Sequence, residues 1–193
     1  MGKGRLEAFS DGVIAIIITI MVLEFQAPHE ATLQALLPLV PVFLSYVLSF
    51  IYVGIYWNNH HHMLATAHGV NGAVLWANLH LLFWLSLFPL STRWIGENPH
   101  AVAPTAVYGV ILFMAGIAYL LLQIALVREE GPNSAIRKAV GCDWKGKFSA
   151  VLYAGAIALS FFHTEAAQII YAGVALMWLV PDQRLERYLS GRN

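Results

Sequence analysis

The chain has 193 residues, of which 59% are hydrophobic and only 11% are charged, and its formal net charge is zero. An ordinary soluble domain carries about 25% charged residues, so the composition excludes a disordered chain and argues against a soluble enzyme. A zero net charge offers no basic surface for nucleic acid, and the single cysteine, Cys142, excludes an internal disulfide. The composition therefore predicts an integral membrane protein.

Six apolar stretches are long enough, or nearly so, to cross a bilayer as helices, which takes about 20 residues each. A helical, all-α fold is predicted because an isolated strand cannot satisfy its backbone hydrogen bonds in lipid. The stretches fill most of the chain, so we predict one membrane domain over residues 1–193, with no cofactor. In chain order, the spans are predicted at about 6–25, 36–57, 70–91, 102–127, 146–162 and 165–181.

Lysine and arginine are distributed unequally between the two ends of this predicted six-helix bundle. Arg93 is the single basic residue at one end. Because cytoplasmic loops are enriched in lysine and arginine, the other end is predicted to be cytoplasmic, together with both termini. That end holds Lys3, Arg5, Arg128, Arg137, Lys138, Lys145, Lys147, Arg184, Arg187 and Arg192.

The first predicted helix contains a carboxylate more than one turn from its start near Arg5. Ser10 and Asp11 could instead cap a helix that begins at Gly12, but that helix would have about 13 residues up to Glu24, which is too few to cross. A carboxylate within a span is unfavourable unless it is paired or faces water or protein. We therefore expect Asp11 to form a buried pairing with Arg5, Asn or His groups, or else an ion site.

Beyond Asp11 the first helix is apolar almost all round. Ile16, Ile20 and Leu23 follow an i, i+4, i+7 spacing and share one face, with Thr19 at its border. Packing in the core or against lipid is the simpler interpretation, and the spacing by itself favours it. A hydrophobic constriction that lines a pore is the alternative, and the spacing cannot separate the two.

The segment WNNHHHMLATAH, at residues 57–68, places three histidines at the cytoplasmic end of the second helix. Consecutive residues of a helix point about 100° apart, so His60–His62 cannot all bind one metal ion in regular geometry. We therefore predict no metal site here, although imidazole is a common zinc ligand. A polar cluster with Arg5 and Asp11 at the same membrane face is the preferred interpretation.

The third helix carries Asn78 and His80 within an apolar run, and both are predicted to form interhelical hydrogen bonds. Several motifs of other protein classes are missing from the sequence. It has no TVGYG-type filter, no phosphate-binding P-loop, no HExxH and no GxSxG. We therefore predict that the chain is not an enzyme.

A longer pattern on the first three helices points to a known family. The first helix reads RLEAFSDGVIAI from Arg5 to Ile16 and continues to Thr19 and to Leu23-Glu24. Two further matches are Trp57-x-x-His60-His61 and Asn78 followed by an apolar run to Pro89. This pattern resembles the prokaryotic relatives of the endolysosomal potassium channel called transmembrane protein 175, and in topology the resemblance covers the whole chain.

The resemblance implies a homotetramer of six-helix subunits in which four copies of the first helix line a central pore. The family's pore narrows at apolar side chains, which correspond to Ile16, Ile20 and Leu23 here. Position 20 is often leucine in relatives. The family's threonine that is tied to potassium preference corresponds to Thr19. The implied function is passive conduction of potassium in preference to sodium, across the inner membrane of a bacterium.

The resemblance also implies a polar network near the cytoplasmic mouth of the pore. Which of two adjacent histidines takes part is left open. The residues that correspond to this network, with their polar neighbours, are Arg5, Ser10, Asp11, His60, His61 and Asn78.

Three hypotheses follow from these observations. The first is a passive potassium-preferring cation channel, which the first-helix pattern favours. The second is a proton channel that uses Asp11 and the histidine cluster. The third, suggested by His60–His62, is a non-conducting membrane scaffold or a metal-dependent enzyme. Potassium ions, lipid and other copies of the chain are the expected partners, and nucleic acid is not.

Overall fold

The protein is described from a computed structural model, which covers residues 2–131, 137 and 144–179. Within these residues the regular structure is entirely helical, so the predicted all-α fold is confirmed. In chain order the elements are α1 (Lys3–Leu23), a 3-10 helix (Leu33–Leu39), α2 (Val40–Ala65), α3 (Gly72–Ser86), α4 (Phe88–Glu97), α5 (Val102–Glu130), α6 (Trp144–Ser160) and α7 (Thr164–Leu179).

Four helical segments of the described residues are long and apolar enough to cross a membrane by length and composition. They are α1, the 3-10 helix together with α2, α3 together with α4, and α5. The last two helices are shorter, with 17 residues in α6 and 16 in α7. The protein is therefore a multi-pass membrane protein, and each predicted span corresponds to one of these helical segments.

The helix that contains the second predicted span extends beyond the predicted end of that span. The helix continues past residue 57 to Ala65, so the three histidines lie on its last turns. The sequence is polar from residue 57 to 62, but His60, Met63 and Leu64 are buried against other helices. These tertiary contacts hold the last turns of α2 in helical form.

The third predicted span is longer than expected and is divided into two helices at Leu87. Pro89 follows the division, and because proline has no N–H it cannot donate to the carbonyl of Leu85 one turn earlier. The chain then continues as α4 to Glu97, beyond the predicted end at residue 91.

Some sequence-based predictions lie outside the described residues. They concern residues 180 and 181 at the end of the last predicted span, the single cysteine, and several of the basic residues that predict the cytoplasmic end. The basic residues and the cysteine in question are Lys138, Cys142, Arg184, Arg187 and Arg192.

Local signals explain several helix ends. The Asn71 side chain caps α3, since its Oδ1 accepts a hydrogen bond from the Val74 N–H at 3.0 Å. Pro41 lies in the first turn of α2, where a missing N–H has no consequence. Gly131 ends α5 with a φ of 86°, a conformation that glycine adopts without a Cβ clash.

Helix α5 packs against α3, α4, α6 and α7 and forms the centre of the bundle. Two glycines permit close helix contacts. A Cβ on Gly96 of α4 would lie 2.8 Å from the Cα of Val42 on α2, and one on Gly109 of α5 would clash with the Tyr171 hydroxyl of α7. Helix α1 lies at the side of the bundle and packs against α2, α3 and α4, so only part of its circumference is covered.

Candidate functional site

Helix α1 has one packed face and one open face. Buried side chains recur at intervals of three or four residues and contact the rest of the bundle. The residues that form this packed face are Leu6, Ser10, Ile14, Ile17 and Met21. The opposite face is apolar as well, but in the single chain it is exposed. Only one of the two sides of the helix is therefore covered within the subunit.

The three residues predicted to form a constriction all lie on the open face. The exposed fraction is 59% for Ile16, 40% for Ile20 and 74% for Leu23. Thr19 is exposed on the same side. The Thr19 hydroxyl donates a hydrogen bond to the Ala15 carbonyl oxygen at 2.9 Å. The two lone pairs of the hydroxyl oxygen therefore remain free to accept a hydrogen bond or to contact a cation.

A buried hydrogen-bonded network joins α1, α2 and α3 near the basic end of the bundle. The Asn78 amide nitrogen donates to Ser10 Oγ at 2.9 Å, and the Asn78 Oδ1 lies 2.7 Å from His60 Nε2. The Ser10 hydroxyl in turn donates to the Leu6 carbonyl oxygen at 2.8 Å. The side chains of Ser10, His60 and Asn78 are all buried. Their hydrogen bonds to one another provide partners for polar groups that are shielded from water.

The direction of this network follows from its chemistry. Because the Asn78 amide group gives its N–H to Ser10, its oxygen must act as the acceptor for His60. His60 Nε2 therefore carries a proton. Of the two histidines left open by the sequence, His60 contacts Asn78, whereas His61 is exposed and lies elsewhere.

Asp11 and His61 are both near Trp57, outside the buried network. The indole N–H of Trp57 donates to Asp11 Oδ1 at 3.0 Å. The Trp57 ring also stacks on the His61 ring, with centroids 6.1 Å apart and an interplanar angle of 25°. Asp11 is exposed in the single chain, so its carboxylate is held by one hydrogen bond and open to water or to another subunit.

Arg5 is exposed, and among the described residues its guanidinium group forms no hydrogen bond or ion pair. The neighbouring Lys3 instead anchors the start of α1. Its ammonium group donates to the carbonyl oxygens of Ala67 at 2.9 Å and Ala65 at 3.3 Å, at the end of α2. Within one chain, the expected cluster of Arg5, Asp11 and histidine is thus not assembled.

Two polar groups near α1 were missed by the sequence reasoning. At the C-terminal end of α1, Arg93 contacts Glu24 at 2.6 Å and Glu97 at 2.8 Å. In the middle of the bundle, the Thr92 hydroxyl donates a hydrogen bond to Ser49 Oγ at 2.6 Å. The same Ser49 Oγ lies 2.9 Å from the Tyr108 hydroxyl oxygen. The sequence does not indicate which isolated Ser and Thr residues of different apolar runs will form hydrogen bonds with each other.

His80 was predicted to bond to another helix, but within the described part of the chain it has no such bond. The Trp84 indole N–H donates to His80 Nε2 at 2.9 Å, within the same helix. The i, i+4 spacing of the two residues is the signal that could have indicated this pair. Among the described residues, no group of three His, Cys, Asp or Glu side chains is placed to hold a metal ion.

Comparison with known proteins covers both the sequence and the fold. A family model described as "Endosomal/lysosomal potassium channel TMEM175" matches residues 5–89, which include every residue discussed for the predicted site. The chain is 54% identical over 190 residues to a potassium channel of Chryseobacterium sp. (strain P1-3), with 98% of this chain and 99% of that one covered. It is 29% identical over 146 residues to the endosomal/lysosomal proton channel TMEM175 of Gallus gallus, covering 67% of this chain but only 29% of that protein.

The fold is similar to that of a solved structure over almost its full length. The crystal structure of a lysosomal potassium-selective channel TMEM175 homolog from Chamaesiphon minutus superposes with a TM-score of 0.82 at 28% identity. The match covers 93% of this chain and 97% of that one. The likeness therefore includes the helices beyond residue 89 as well as those that the family model matches.

Proposed function

Because the chain belongs to the TMEM175 family of ion channels, and is therefore not an enzyme, we propose that it conducts potassium ions passively. Four copies would assemble with α1 of each lining a central pore. Support for potassium as the permeant ion comes from the names of the bacterial relative and of the solved structure. Nothing in the chain points to an energy source, so flux would follow the electrochemical gradient.

The observation that carries this proposal is the open face of α1. Arg5, Gly12, Ile16, Thr19 and Leu23 follow each other at intervals of three, four and seven residues, so they share one side of the helix. A lipid-facing surface would not favour an arginine and a hydroxyl on the same stripe as isoleucine and leucine, since polar groups in spans face protein or water. A pore axis accommodates all five residues.

An apolar ring suits a gate better than a binding site. Four copies of Ile16 around an axis would form a constriction that excludes hydrated ions when it is narrow and admits them once it is wetted. Ile20 and Leu23 would add further apolar rings toward the other end. Thr19 would present four hydroxyl oxygens next to these rings, and their free lone pairs support the proposed preference for potassium.

Proton conduction is the second candidate, because one relative is named a proton channel. The buried network argues against a proton relay through it. A relay needs groups that both accept and release protons, as imidazole and carboxyl groups do, and the Asn78 amide between His60 and Ser10 does neither readily. A proton route would have to use Asp11, which is exposed on the side of α1.

The arrangement in the membrane is also proposed. All six helical segments would cross the inner membrane of a bacterium, with both termini in the cytoplasm. The unequal distribution of lysine and arginine between the two ends supports this orientation.

Potassium flux from liposomes tests the pore assignment. Ile16→Asn would place a polar side chain in the constriction, so we expect greater leak and a weaker preference for potassium over sodium. The matched control is Ile169→Asn, because Ile169 is an isoleucine of α7 with a comparable exposed fraction of 71%. The control should leave both flux and selectivity unchanged.

Equal flux and selectivity in Ile16→Asn and the wild type would contradict the pore assignment. Flux that follows a pH gradient, persists without potassium and disappears in Asp11→Asn would favour the proton channel instead.

The oligomeric state is tested by cross-linking. Leu23→Cys in a Cys142→Ser background should cross-link between subunits on oxidation, whereas Leu176→Cys on α7 should not. A monomer would contradict the tetramer.

A further inference from the structure

A partly open cavity lies between α2, α5 and α6, away from the open face of α1. Its volume is about 200 Å³. A cavity of about 150 Å³ is already large enough to hold benzene, so this one has room for a ring or for a short length of acyl chain. A space of this size is large enough to take up part of a lipid molecule.

The inner part of the cavity is apolar. Its walls include Ile55 of α2, Phe113 and Ile117 of α5 and Ala150 of α6. Tyr52 also lines the cavity; it is buried, and its hydroxyl already donates to the Tyr171 carbonyl oxygen at 2.6 Å. This part of the cavity therefore offers hydrocarbon contacts and no unpaired polar group, which suits an acyl chain.

The rim of the cavity is polar and positively charged. Tyr56, Asn59 and Lys147 contribute to its lining. Among the described residues, neither the Tyr56 hydroxyl nor the Asn59 side-chain amide has a hydrogen-bond partner, and Lys147 is exposed. Of the described residues that line the cavity, none is acidic. A hydroxyl, an amide and an ammonium group at one rim together favour an anion.

The rim lies at the basic end of the bundle. Lys147 is in the first turn of α6, and Lys145 of the same turn places its Nζ 5.9 Å from the ring centroid of Trp178, another lining residue. Basic pockets between transmembrane helices on the cytoplasmic side are typical sites for anionic lipid head groups. Both ends of the cavity thus fit one kind of molecule.

We propose that this cavity binds one anionic phospholipid from the leaflet at the basic end of the bundle. The end of one acyl chain occupies the space beside Phe113 and Ile117. The phosphate group lies at the rim, where Tyr56 and Asn59 donate hydrogen bonds and Lys147 supplies the positive charge. This binding does not rest on ion conduction.

Gly116 provides a way to fill the cavity. A Cβ at this position would lie 3.8 Å from the Tyr56 hydroxyl oxygen, which is ordinary van der Waals contact, so a longer side chain would extend into the space without displacing backbone. Gly155 on α6 is a matched control, because it is exposed and a Cβ there would meet no atom within 4 Å.

The experiment is native mass spectrometry of the full chain released from nanodiscs that contain equal amounts of phosphatidylglycerol and phosphatidylcholine. We expect the wild type and Gly155→Leu to retain one phosphatidylglycerol per subunit, and Gly116→Leu to lose it. Lys147→Gln should remove the preference for phosphatidylglycerol over phosphatidylcholine. Arg128→Gln, which removes a charge at the same end of the bundle but outside the cavity, should keep that preference.

Equal retention of the two lipids by the wild type would overturn the proposal, and so would full retention of phosphatidylglycerol in Gly116→Leu. Should Gly116→Leu not fold, Ala150→Leu fills the cavity from α6 and should give the same loss.

A second measurement does not need a variant whose cavity is filled by a larger side chain. Phosphatidylglycerol with brominated acyl chains should quench more fluorescence in the wild type than in Trp178→Phe, and an equal fraction quenched in both would also overturn the proposal.

Discussion

The two faces of α1 both carry large apolar side chains but have very different surroundings. Ile14 and Ile17 are buried within one subunit, whereas Ile16 and Leu23 are left exposed by it. Only the packed face carries a buried polar residue, Ser10, and that residue has hydrogen-bond partners on another helix. Apolar character alone therefore does not distinguish a buried core from a proposed pore surface, because the difference lies in what each face contacts.

The largest expected effect separates the two faces by stability. Ile14→Ala removes a buried side chain and leaves a cavity, so it should lower the free energy of unfolding by about 3 kcal/mol. Ile16→Ala should leave the free energy of unfolding nearly unchanged, because that side chain is exposed within its subunit. Unfolding of the detergent-solubilised protein by a denaturing detergent measures both values. Equal losses would show that the faces do not differ as described.

The next effect concerns the polar residue on the packed face. Asn78→Leu removes the link between His60 and Ser10 and leaves the His60 N–H buried without a partner. This should lower the free energy of unfolding by about 1–3 kcal/mol. Asn58→Leu is the control, because Asn58 is an exposed asparagine on α2. Ser10→Ala should add little to Asn78→Leu, and full additivity in the double variant would contradict a shared network.

A smaller effect is expected on the open face. Thr19→Val keeps the shape of the side chain but removes the hydroxyl oxygen from the proposed pore. We expect the potassium-to-sodium permeability ratio to fall by about two- to fivefold, which corresponds to about 0.4–1 kcal/mol, the usual net value of one hydrogen bond. Thr19→Ser retains the hydroxyl and should restore the ratio. A ratio that stays at the wild-type value in Thr19→Val would remove Thr19 from the selectivity assignment.

The smallest effect is expected beyond the last turn of α1, where both faces end. Arg93→Gln breaks exposed ion pairs with Glu24 and Glu97, and exposed pairs contribute little. We expect a slight loss of thermal stability at low ionic strength that disappears at high salt, because salt screens these charges. Melting curves of the wild type and the variant at two salt concentrations measure it. A large loss that persists at high salt would mean that Arg93 has a further role.

Much of the fold could be predicted from the sequence, because helix formation in lipid depends on length and composition. The all-helical fold and the approximate positions of the helices followed from the apolar runs. The end of α2 did not, because it depends on neighbouring helices, and the division at Leu87 was not predicted although Pro89 is a local signal for it. His60 keeps α2 helical through Asn78, which is 18 residues away in sequence, and no local pattern contains that contact.

The candidate site was predictable in part for a related reason. Helical spacing alone placed Ile16, Ile20 and Leu23 on one side of α1, and the structure puts their side chains on the exposed side. Their place in a pore stays a prediction. The partner of Asp11 was missed, since Trp57 is 46 residues away in sequence and no local pattern pairs the two. The i, i+4 spacing of Trp57 and His61 was an available signal for the stacked rings.

The division of the third span at Leu87 has a mechanical consequence. Hydrogen bonds along an uninterrupted helix make it a stiff rod, so a tilt at one end is carried to the other. The interruption at Leu87 divides the span into two helices: Arg93 of α4 contacts Glu24 at one end of α1, while Asn78 of α3 donates to Ser10 nearer the other end. We expect α3 and α4 to tilt independently of each other. Thinning or stretching of one leaflet would then move one end of α1 without a rigid rotation that reaches the other leaflet.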